Sequence, residues 1–122
     1  MKEVWIFGNP DLPEDALPIK MVPKLKELFP DIQFILRDPL DEWDMPKKLV
    51  IIDTVKGINK VTPFTSLEHF QGVPHVTMHD FDLGSHLAFM QKLGKLPEFV
   101  IYGVPDTISE EEALSQLGSL LR

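Results

Sequence analysis

Leu49-Val50-Ile51-Ile52 is an unbroken run of apolar residues, three of them β-branched. A strand with one wet face alternates polar and apolar residues, so a run without alternation marks a strand covered on both faces. That excludes a sheet with one open side and predicts a sheet centre with helices packed above and below it.

The remainder of the chain reads as the partners such a strand needs. Glu3 to Phe7 is a strand-like run closed by Gly8-Asn9-Pro10, and Ile32 to Leu36 is another, broken by Asp38-Pro39. Val73 to Met78 and Phe99 to Tyr102 read as further strands. Val61 to Phe64 reads as an edge strand, because Pro63 cannot donate to a ladder. The stretch from Asp38 to Lys48 is turn-rich, with room for one short helical turn.

Apolar residues at helical spacing fill the gaps. Leu17, Met21, Val22, Leu25 and Leu28 define a first helix, with Pro18 harmless in its first turn and Pro23 placed to kink it. Leu83, Leu87, Met90 and Leu93 share one face of a helix over 82–93 that Gly94 stops. Ser109 and Glu112 form a capping-box pair opening a helix with Ala113, Leu117, Leu120 and Leu121 inward. Alternating strands and helices imply an α/β protein, a three-layer α/β/α sandwich around a mostly parallel sheet of about five strands. The 122 residues suit a single domain spanning 1–122, without repeat or linker.

Charge and composition narrow the function. Nineteen acidic residues against 12 basic ones give a net charge of -7 with no basic run, which argues against nucleic-acid binding. The absence of Cys removes disulfides, thiolate nucleophiles and Cys-type zinc sites, so any metal must use carboxylate and imidazole. No apolar stretch approaches the roughly 20 residues needed to span a bilayer, and the N-terminal run is too short for a secretory signal. The expectation is a cytoplasmic monomer with no membrane insertion.

In open α/β sheets the site lies off the carboxyl ends of the strands. Three residues fall there by this reading: Asp15 in the loop after the first strand, Asp53 directly after Ile52, and His79 after Met78. Two carboxylates and an imidazole suit a borderline divalent ion such as Ni or Zn. Each also has an ordinary alternative. Asp15 suits the N-cap of the first helix, Asp53 an Asx turn, and His79 a loop contact with Asp80 or Asp82. His69, His75 and His86 read as scattered surface histidines.

Gly8-Asn9-Pro10-Asp11-Leu12-Pro13-Glu14-Asp15-Ala16 resembles the Gly-Asn-x-Leu-x-x-Asp-Asp/Glu-Gly opening of the hydrogenase maturation proteases, and Val50-Ile51-Ile52-Asp53 resembles their central strand ending in Asp. His79-Asp80-Phe81-Asp82-Leu83-Gly84 resembles the His-containing loop and helix start of their short archaeal members. The resemblance implies a hydrolase, an endopeptidase that trims the C-terminal extension of a [NiFe]-hydrogenase large-subunit precursor after nickel insertion. It implies that Asp15, Asp53 and His79 are the catalytic, metal-ligating residues, and that Asp38 handles substrate. The metal is then nickel presented by the substrate, or another divalent ion in its place. Where many members carry Gly this chain has Ala16 and Pro18, which leaves its loop backbone less free.

Two other functions fit parts of the pattern. One is a nickel-binding maturation chaperone that keeps the fold and site without cutting. The other is a phosphoacceptor receiver domain with Asp53 as acceptor, but Gly8-Asn9-Pro10 displaces the paired acids from the first strand and no Lys precedes Pro105.

Overall fold

A computed structural model describes residues 2–8, 11–37, 46–71 and 78–121, with side chains described throughout except at 14, 71 and 78–82. Strands β1 (Lys2–Ile6), β2 (Ile32–Leu36), β3 (Lys48–Val55), β4 (Thr62–Phe64) and β5 (Glu98–Pro105) alternate with helices α1 (Leu17–Leu28), α2 (Leu67–Gln71), α3 (Met78–Lys92) and α4 (Glu110–Leu121). They form one five-stranded sheet in the order β2-β1-β3-β5-β4, with only β4 antiparallel to its neighbour. The chain is an α/β protein with a mostly parallel sheet.

The apolar run that reads as the sheet centre is the middle strand, and every residue from Leu49 to Val55 is buried. Successive side chains on a strand point to opposite faces. Val50 and Ile52 accordingly join Val4, Ile6 and Val104 in a cluster with Met21 and Leu25 of α1 and Leu117 of α4. Leu49, Ile51 and Val55 join Trp5, Phe7 and Ile101 in a second cluster with Leu67 and Phe70 of α2 and Leu83 and Leu87 of α3. Each fully buried branched or aromatic side chain contributes about 1.5–3 kcal/mol over its exposed state.

Several local expectations hold and others change. β4 is an edge strand as Pro63 implied, and Phe70 of α2 meets Phe64 edge-on with ring centroids 5.9 Å apart. α1 runs through Pro23 as one helix from Leu17 to Leu28. Gly94 ends α3 with φ +70°. Its N–H reaches the Gln91 carbonyl while the Lys95 N–H reaches that of Met90, the paired bonds of a Schellman stop. Leu120, read as inward, is instead exposed, as are Leu28 and Leu93 at the ends of the other two apolar stripes. All three sit in or just beyond a final helical turn, where the neighbouring layer no longer covers the stripe.

The largest difference lies before α3. The strand expected over Val73 to Met78 falls outside the described residues up to 77, and Met78 itself is helical, so the helix starts four residues before the expected Asp82. The helical turn expected within 38–48 falls outside the described residues from 38 to 45. α2 was not anticipated.

α4 begins as its capping pair suggested, with the Glu112 N–H donating to Ser109 Oγ at 3.2 Å. Ser109→Ala leaves that donor without its acceptor and is expected to lower stability by about 1 kcal/mol. Urea denaturation followed by circular dichroism measures it, with the slope of the transition unchanged.

Candidate active site at the carboxyl end of the sheet

Parallel strands bring their carboxyl ends to one rim, and the register fixes what stands there. Ile6 pairs with Leu36 and with Ile52, and Asp53 pairs with Gly103, which in turn faces Thr62. One step beyond Ile6, the Phe7 N–H donates to the Ile52 carbonyl at 2.9 Å and the Arg37 N–H to the Ile6 carbonyl at 3.0 Å. Arg37, Phe7, Asp53, Gly103 and Thr62 therefore form a row across all five strands.

Asp53 is the centre of that row and is fully buried. The strand continues two residues beyond it, so it lies within β3 rather than directly after its end. Its Oδ1 accepts the Thr54 N–H at 2.9 Å, a bond to the next residue within the strand and not the bond two residues on that defines the Asx turn of its ordinary reading. By alternation its side chain belongs to the face that α2 and α3 cover.

Asp15 is also fully buried. It ends a single 3-10 turn, Pro13–Asp15, entered through a bond from the Asp15 N–H to the Leu12 carbonyl. The N-cap of α1 is Ala16, which has no capping side chain, so Asp15 does not hold the position its ordinary reading assigned. Its carbonyl oxygen rests on Gly8, where an added Cβ would stand 2.7 Å away. Only a residue without Cβ lets the turn carrying Asp15 approach β1 this closely.

His79 is the second residue of α3, not a loop residue, and its side chain lies outside the described set. α3 ends at Lys92, shortly before β5 starts at the amino end of the sheet. Its 15 residues span about 22 Å, so His79, in the first turn, stands at the end of α3 remote from β5. Asp38 lies outside the described residues. Among the described residues no three His, Asp or Glu side chains form a group that could hold a metal, a statement that does not reach His79.

Two rim residues were passed over in reading the sequence. Thr54 is fully buried and its Oγ1 has no hydrogen-bond partner among the described residues. Arg37 carries its guanidinium carbon 4.6 Å from the centroid of the Trp5 ring, a cation–π contact, while its buried Nε likewise has no partner among them. The available signal was adjacency, since each neighbours a candidate acid, Asp53 or Asp38. Tyr102, one residue before Gly103 on β5, has its hydroxyl held above the ordinary tyrosine value because burial disfavours the phenolate.

Two measurements check this geometry. Gly8→Ala must push the Asp15 turn away and is expected to cost about 1–3 kcal/mol by overpacking, read as a lowered urea midpoint. Tyr102 is the only tyrosine, so the phenolate absorbance reports it alone. Its midpoint in the folded protein should lie above that in the urea-unfolded chain. The folded state prefers the neutral phenol, so this contribution is complete below the ordinary tyrosine value and is lost as pH rises through it towards the folded value.

No family model, curated protein or solved structure matches the chain. Among the described residues no helix is long and apolar enough to cross a membrane.

Proposed function

We propose that the chain is a cytoplasmic endopeptidase of the hydrogenase maturation type, which removes the C-terminal extension of a [NiFe]-hydrogenase large-subunit precursor once nickel is in place. The observation that carries this reading is the burial of two carboxylates, Asp53 within β3 and Asp15 in the turn that rests on Gly8 beyond β1. Carboxylates are costly to remove from water, and a fold without a use for them replaces them with apolar residues. Their positions are those that the resemblance to the maturation proteases assigns to metal ligation.

The donor set fits a borderline divalent ion. Asp15 and Asp53 supply hard oxygens, and His79 supplies a nitrogen donor from the start of α3. Three donors leave coordination positions open. In this reading the nickel belongs to the substrate, and the three side chains complete its shell, so the metal is what identifies a mature precursor. A divalent ion held there polarises a nearby carbonyl and acidifies water. Asp53, fixed through its Oδ1 bond to the Thr54 N–H, holds one oxygen in a set direction for that task. Recognition through a shared ion withholds cleavage from metal-free precursor and from other peptides.

The edge strand supports this reading over a phosphoacceptor receiver, whose sheet runs 2-1-3-4-5. Here β5 lies beside β3 and β4 runs antiparallel at the edge.

The test uses nickel-loaded and nickel-free precursor, with the mass of the large subunit as readout. Loaded precursor is expected to lose its extension and nickel-free precursor to stay intact. Asp53→Ala should abolish processing while the circular dichroism spectrum is retained. Equal cleavage of both precursor forms, or full cleavage by folded Asp53→Ala, sinks the reading. Nickel-dependent binding without any cleavage would instead identify a non-cutting maturation chaperone.

A further inference from the structure

β4 closes one edge of the sheet, and its outward side is unequal in hydrogen-bonding groups. Pro63 faces Tyr102 across the ladder and has no N–H, so Thr62 and Phe64 carry the bonds to β5 while the backbone groups of 61 and 63 turn outward. The Val61 N–H confirms that direction, since it donates to Gln116 Oε1 of α4 at 2.7 Å. At 61 and 63 the outer edge therefore presents two carbonyls and, among the described residues, no spare N–H. Another strand needs both donors and acceptors, so this edge does not extend into a second sheet.

Beside that edge, between β4 and α4, runs an open groove of about 650 Å³. Its walls include Lys60, Val61 and Pro63 on one side and Ser115, Gln116 and Ser119 on the other. Among the described residues no Asp or Glu lines it, although the chain carries 19 acidic residues, and Lys60 is the one charged group among them. Gln116 uses its oxygen on Val61, which leaves its amide N–H groups to donate. Leu120 adds an exposed apolar surface. Thr62 faces Gly103, and Gly103 pairs with Asp53, so the groove opens two strand spacings, about 10 Å, from the Asp53 backbone, on the α4 side of the sheet, opposite to the face its side chain belongs to.

We infer that this groove binds an extended peptide segment that carries a carboxylate. The segment's N–H groups meet the Val61 and Pro63 carbonyls, its C=O groups meet the donors on α4, and its carboxylate meets Lys60. Strand-edge acceptors on one wall and side-chain donors on the other complement both halves of a peptide unit, and no acid in the groove repels the carboxylate. Resting on the function proposed above, the segment is a part of the precursor's C-terminal extension held on the sheet face opposite to the Asp53 side chain, away from the bond that is cut.

Lys60→Glu reverses the charge and Ser119→Trp fills the groove, and both positions are exposed. With nickel-loaded precursor as substrate, each is expected to raise KM about tenfold, the loss of one favourable ionic or packing contact, with kcat within about twofold of the parent. Unchanged KM in both variants, each with the parent's thermal unfolding, overturns the inference and leaves the proteolytic function standing. A second arm does not depend on that function. The full chain, isotopically labelled, is titrated with an acidic, partly apolar hexapeptide bearing a free C-terminal carboxylate, and with its uncharged amidated counterpart. Amide shifts at Val61, Gln116 and Ser119 with the acidic peptide, and weaker ones with the amidated peptide, sustain the groove even if no precursor is cut. Shifts elsewhere, none, or equal shifts with both peptides overturn it.

Discussion

The enclosure of β3 is the constraint on which the rest depends. It is hydrogen-bonded on both sides, by β1 and β5, and buried on both faces by separate clusters of side chains. Water reaches none of the seven residues from Leu49 to Val55. Five of those residues are apolar and repay their burial, whereas Asp53 and Thr54 do not. Their presence at the same strand's carboxyl end is the clearest departure of this chain from what stability alone selects.

The two faces serve that strand differently. On one, α1 and α4 pack side by side over Val50, Ile52 and Val104, joined at the surface by Lys24 and Glu110 at 3.5 Å, an exposed pair worth at most about 1 kcal/mol. On the other, α2 and α3 cover Leu49, Ile51 and Ile101. Asp53 belongs by alternation to the second face, and the turn bearing Asp15 rests on Gly8 of the first strand's continuation. The two buried acids thus sit where the central strand and a tight turn meet the rim of the sheet.

Strand identity was legible wherever apolar content was decisive. The run Leu49 to Ile52, the end of β1 before Gly8 and the Pro63 edge signal each correspond to the element they implied, because a strand's burial and its terminators are written in adjacent residues. The Ser109 cap was legible for the same reason. What escaped depended on residues distant in sequence. Whether Leu93 and Leu120 are covered is decided by where a neighbouring layer stops, and the start of α3 is not set by its apolar stripe, which begins only at Leu83. Of the candidate site, the positions of Asp15 and Asp53 at one rim followed from strand order. The use of Ala16 as the N-cap, and the buried Thr54 hydroxyl and Arg37 guanidinium beside them, did not, since no periodicity marks them.

The longest ladder in the sheet joins β3 to β5, and each of its eight pairs unites residues fifty positions apart, from Lys48 with Glu98 to Val55 with Pro105. Closing so large a loop costs chain entropy before any contact offsets it, so this pairing belongs to the slow, non-local part of folding. Asp53 gains its Gly103 neighbour only at that step. During synthesis, a chain that has emerged through β4 but not β5 holds its acids in water, without the enclosure that gives them a common environment. Assembly of the rim is thereby tied to completion of the sheet, and a partly made chain lacks the enclosed rim.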